Sequence, residues 1–344
     1  MTALLLTITP LMASAVRVDS IYTAEIPVAS HSENDKKEAI QAGLAQVFVK
    51  VSGNIRVMEK NPSLAESLKQ ADSVIRDTNY TNVLGDSNAT LLSMRFVPEG
   101  VNKMLRDAGA SVWTQSRPLI LAWIVLETPS HPADIVDGST PSELQKLLKR
   151  ASKQRGLAVI LPLMDVSELS EVSVDDVMKK SLPVLQKAAV RYDSNGLLIG
   201  SVSKQEENNF KSEWLFVSGT SQQSWNITGK SLEEIIKNVS NNMADTLAEN
   251  YAVALTDIVK SQLVLKIQNV KEHTELIELM KSLQQLTPVI DVQLESVSND
   301  EISLNVSLRG SKQAFIQAVS GDETLVSISS KQSDDDTLIY KLVH

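Results

Sequence analysis

The run Leu119–Leu126, LILAWIVL, holds eight apolar residues in a row. That is long enough for a strand and far short of the roughly 20 residues a membrane-spanning helix needs. Two more such runs follow, LAVILPLMD at 157–165 and GLLIGSVS at 196–203. A strand that is apolar on both sides must be covered on both faces. Between these runs lie stretches with apolar residues at spacings of three and four, the mark of amphipathic helices. Strands of this kind interleaved with helices predict an α/β (α+β) chain built on mixed, helix-covered sheets.

The pattern divides the chain into three serial units. Residues 16–112 read as a strand over 16–28, a helix capped by Ser32 or Asn34 and stopped by Gly53 with Ala39, Ile40, Leu44, Val47, Phe48 and Val51 on one face, a short helix near Pro62, a strand over 89–96 and a helix over 98–108. Residues 113–260 read β-α-β-α-β-β-β-α, opening on the run at 119 and closing on a long helix capped by Ser231. Pro183 inside 175–192 is expected to kink a helix there or to mark its true start. Residues 261–344 read β-α-β-β-α-β, the ferredoxin-like order. Residues 1–15 read as a cleaved secretory leader. Leu4–Met12 is apolar and Ala13-Ser14-Ala15 fits a small-residue cleavage site, although no Lys or Arg precedes it. Cleavage after Ala15 would place the rest in the periplasm.

Composition narrows the chemistry. With 42% hydrophobic and 22% charged residues the chain can bury a core. A net charge of −9, with only 4% aromatic residues, opposes binding to nucleic acid and to anionic membrane surfaces. There is no cysteine, so disulfides, thiolate metal sites and thiol nucleophiles are all excluded. The four histidines stand singly. Phosphate loops, G-x-G-x-x-G, G-x-S-x-G and H-E-x-x-H motifs are lacking. No cofactor is expected. Gly200-Ser201 follows an apolar run but lacks the flanking glycines of a nucleophile turn. Asp165 ends a predicted buried strand, where function often sits in α/β folds, and helix capping accounts for it equally.

The four tryptophans carry two readings each, core packing or a docking platform. Trp123 lies inside the apolar run and reads as core. Trp113, Trp214 and Trp225 are candidates to point outward. Arg117, held extended by Pro118, is expected to pair with a carboxylate across the sheet.

Several segments carry a resemblance: IYTAEIPVASHSENDKKEAIQAGLAQVFVKVSGN, VWTQSRPLILAWIVLE with Trp113, Arg117, Pro118 and Trp123, GLAVILPLMD with Asp165, AAVRYDSNGLLIGSV with Arg191, Tyr192 and Gly200, and WLFVSGTSQQSWNITG with Trp214 and Trp225. In order over roughly 20–230, they resemble the domain of unknown function 2066 family of secreted Gram-negative proteins. That resemblance implies a periplasmic protein with no assigned reaction. The middle unit also looks like the periplasmic α/β domains of TolB-type and curli-secretion-type proteins. The resulting expectation is a non-enzymatic scaffold with protein partners in an envelope assembly. Alternatives are an envelope enzyme acting on peptidoglycan through two carboxylates and a periplasmic small-ligand binder.

Overall fold

The computed structural model describes residues 15–83, 86–206, 208–219, 221–253, 260–298, 301–320, 324–328 and 337–343. All but the last residue of the expected leader lies outside them. Three sheets organise the described chain, each with its own apolar cluster.

The first sheet is small. Strand β1 (Ala15–Arg17) leaves this unit, and β2 (Thr23–Val28), β3 (Ile75–Val83) and β4 (Asp86–Phe96) form an antiparallel sheet in the order β2-β4-β3. The expected continuous strand over 16–28 is broken by a 3-10 turn at Asp19–Tyr22. Helix α1 (Glu33–Ser52) covers the sheet. Ser32 caps it by accepting from the Asp35 N–H at 3.1 Å, and Gly53 ends it at φ 70°. Its buried stripe Ile40, Leu44, Val47, Phe48 and Val51 packs with short helices α2 (Val57–Lys60) and α3 (Leu64–Leu68) and with α4 (Pro98–Asp107).

The middle sheet has seven strands. β5 (Ser116–Thr128) lies parallel to β8 (Gly196–Glu206), which continues antiparallel into β9 (Asn209–Ser218) and β10 (Ser221–Gly229). The other edge of β5 is shared by β1, by β6 (His131–Ile135) and by β7 (Ala158–Ile160). LILAWIVL explains the layering. Ile120, Ala122 and Ile124 face a core under α5 (Glu143–Arg155) and α9 (Leu232–Tyr251). Leu121, Trp123 and Val125 face the opposite core under α7 (Val174–Met178) and α8 (Leu182–Ala189). Alternate residues point to opposite faces, and here both are buried, so the expected double cover is present.

Two local expectations change. The strand at 157–165 is only three residues long, because residues 161–165 peel away; Gly138 donates its N–H to the Pro162 carbonyl at 2.7 Å, outside the sheet. The run then turns into α6 (Val166–Glu171), which the apolar pattern did not predict. Pro183 marks a true start, standing in the first turn of α8.

The third sheet runs β12 (Val289–Ser298), β13 (Glu301–Arg309), β11 (Lys260–Gln268), β15 (Thr337–Leu342), β14 (Leu325–Ser327), with α10 (His273–Gln285) and α11 (Lys312–Val319) packed on it. The expected β-α-β-β-α-β succession is followed, but the sheet departs from the ferredoxin-like arrangement: β14, the strand after α11, lies at the edge, and the added strand β15 takes the place beside β11 and runs parallel to it.

Candidate interaction surface

The expected site residues separate into a buried group and a surface group. Trp113 and Trp214 are each 1% exposed and Trp123 and Arg117 are 0% exposed. The outward reading of Trp113 and Trp214 is therefore corrected: both rings are core. Trp214 lies across Gly200, where an added Cβ would stand 2.2 Å from the ring, and its indole N–H donates to Ser212 Oγ at 2.9 Å. Gly200 is thus a seat for an aromatic ring. Trp225 alone is half-buried, stacked on Phe216 at 6.1 Å.

Among the described residues Arg117 has no carboxylate partner, which corrects the second expectation. Its guanidinium stacks 3.6 Å from the Trp113 ring centre, and Nη2 donates to the carbonyls of Lys50 at 2.9 Å and Trp113 at 3.1 Å. Nε and Nη1 have no hydrogen-bond partner. Burial pushes its pKa down, yet a guanidinium stays charged at neutral pH. The charge is served by the ring and by the carbonyl end of α1. Arg155, 3% exposed, makes the neighbouring link, donating to the Gly53 carbonyl at 2.7 Å, Asp245 at 2.8 Å and Asn241 at 2.8 Å. With β1 on β5 and the Val112–Val253 bridge, these contacts fasten the first unit to the second. Pro118 opposes Ala15 in that strand pair.

Asp165, Arg191 and Tyr192 do meet, at the surface, around α6. Asp165 caps α6 by accepting from the Glu168 N–H at 3.1 Å, and the Arg191 fork donates to both its oxygens at 3.0 and 2.8 Å. Glu168, missed in the sequence, closes the cluster. It accepts from the Met164 N–H at 2.7 Å and from the Tyr192 hydroxyl at 2.5 Å. That hydroxyl accepts in turn from the Leu163 N–H at 2.8 Å. The Arg191 fork, then the helix cap, hold Asp165 down at about 2, while burial and the Glu168 carboxylate push Tyr192 up to about 12. Asp165, Arg191 and Tyr192 therefore keep their neutral-pH states across the ordinary range.

The clamp fixes a loop that includes Met164 at φ 50° and displays apolar side chains to solvent. Leu163 is 49% exposed, Val166 84% and Leu169 64%, and Val190, next to Arg191 in sequence, is also exposed. A clustered apolar display on a segment this firmly hydrogen-bonded is unusual for scattered surface residues. Its rim is acidic. Lys179, Lys180 and Arg191 are each paired, with Asp175, Glu213 and Asp165, whereas Glu171 and Asp176 form no ion pair among the described residues. The Asp165-x-x-Glu168 spacing was the signal available in the sequence.

A cavity of about 360 Å³ lies between α2 and α9, lined among others by Arg56, Lys60, Asp245 and Glu249. Among the described residues no three His, Asp or Glu side chains are grouped as a metal site, and no helix is long and apolar enough to cross a membrane.

Residues 15–114, under a third of the chain, match the family model described as a domain of unknown function (DUF8605). The matched span takes in the whole first core and ends beside Trp113. No curated protein matches the chain.

Proposed function

We propose that this chain is a non-enzymatic protein-binding scaffold or accessory component of a bacterial envelope assembly, acting in the periplasm. The observation that supports it most is the clamped α6 segment, with Leu163, Val166 and Leu169 held outward. Ordering a docking loop before binding lowers the entropy lost on association. The acidic rim favours a partner whose apolar contact is bordered by Lys or Arg. The periplasmic setting rests on the leader pattern and on the segments that resemble the domain of unknown function 2066 family.

The test is site-directed photo-cross-linking in the source cell. A cross-linker at Val166 or Leu169 captures the same envelope protein, and one at Lys237, exposed on α9, does not. Equal capture at all three positions overturns the reading.

One observation favours a second reading, a small-ligand binder. The cavity between α2 and α9 has a size suited to a small molecule, and Arg56 and Lys60 at its wall form no ion pair among the described residues. Stabilisation of the chain by an amino acid or another small zwitterion in a thermal-shift screen supports that reading. An enzyme of peptidoglycan needs two free carboxylates there. Asp245 is already held by Arg155 and by the Ile55 N–H at 3.0 Å.

A further inference from the structure

The third sheet ends on an uncovered strand. Among the described residues β12 pairs only with β13, so its outer edge presents unmatched backbone N–H and C=O groups. Its inward positions Val292, Leu294 and Val297 lie opposite Val306, Leu304 and Ile302. Val292 is buried, but Leu294 is 44% exposed and Val297 59% exposed. Ile277, on the helix α10 that packs against β12, is 54% exposed. Leu294 and Val297 therefore leave apolar surface on the core-facing side of β12.

Edge strands are commonly protected by Lys, Pro, bulges or other charged side chains. The segment 289–298, VIDVQLESVS, has no Lys or Pro. It has register shifts at Ile290 and Glu295, which leave Asp291–Leu294 and Ser296–Ser298 as regular pairing stretches. From Glu272 to Ser298 there are five carboxylates, Glu272, Glu275, Glu278, Asp291 and Glu295, against the single base Lys281. A second copy pairing edge to edge would set Asp291 and Glu295 against the same acids, and like charges across a strand pair destabilise it.

We propose that the β12 edge and its α10 flank bind an extended segment of a partner protein in which apolar and basic residues alternate. The segment adds a strand through main-chain hydrogen bonds, its apolar side chains covering Leu294 and Val297 and its basic ones facing the carboxylates. This site is separate from α6 and does not depend on it.

The probe is a short synthetic peptide of alternating Lys and Val, with a Glu and Val peptide as control, added to the full chain and read by amide hydrogen exchange. The Lys peptide slows exchange within 291–298. Leu294→Gln with Val297→Gln weakens its binding about tenfold, the effect of losing roughly one buried aliphatic contact. Val166→Asp leaves it unchanged. Protection elsewhere but not on β12, equal binding of the Glu peptide, or β12 protection that grows with protein concentration in the absence of peptide overturns the proposal.

Discussion

Arg117 and Arg191 lie in two different segments of the sequence and serve opposite ends. Arg117 is fully buried, faces a ring and two carbonyls, and has no carboxylate partner among the described residues. Arg191 is at the surface and holds a carboxylate with both arms of its fork. The first fixes one unit against another. The second fixes a loop so that apolar side chains stay in water. The difference lies in where the restraint points: inward to a junction between units at Arg117, outward to an apolar surface at Arg191, which is the surface proposed for recognition.

Truncating the buried partner should break the comparison most violently. Trp113→Ala removes the ring under Arg117 and is expected to cost about 3–5 kcal/mol in denaturant unfolding. A loss under about 1 kcal/mol would mean that the junction does not depend on the stack. Gly53→Ala tests the same junction through the backbone. At φ 70° the new Cβ would lie 2.4 Å from Ala248 Cβ and 2.8 Å from the Trp113 ring, so a loss of about 1–3 kcal/mol is expected.

Lys50 sharpens the picture with pH. It is 2% exposed, its ammonium donates to the Thr23 carbonyl at 2.8 Å, and burial lowers its pKa to about 8. The unfolded chain then holds this proton more tightly than the folded one. Its contribution is full above the ordinary lysine pKa and is lost as pH falls through 8. Stability should therefore rise by about 2 kcal/mol from about pH 7.5 to 9.5, below the raised tyrosine pKa values. The rise should vanish in Lys50→Met.

The smallest expected change is at α6. Val166→Asp with Leu169→Asp should alter unfolding by no more than about 0.5 kcal/mol per site, as for exposed positions without packing roles.

The layered core was legible because burial on both faces leaves its mark in local sequence. LILAWIVL announced a doubly covered strand, Ser32 and Gly53 bounded α1, and Pro183 marked a helix start. The partners of Arg117 were not legible, because the Lys50 carbonyl lies 67 residues away and is chemically like any other carbonyl. The tryptophans misled for a related reason: a ring beside polar neighbours reads as exposed until Gly200 is seen to seat Trp214. At α6, Asp165, Arg191 and Tyr192 stood out as residues without revealing that Glu168 joins them. The displayed Leu163 read as the tail of a buried strand, and Val166 and Leu169 fell between predicted elements. Exposure is decided by Pro162 and Met164, where the chain leaves the sheet.

The most direct measurement is partner capture by the intact chain against the Val166→Asp, Leu169→Asp variant, with both shown to unfold at the same temperature. The account predicts that the partner cross-linked through Val166 in the parent is lost from the equally stable variant. Undiminished capture by that variant would contradict it.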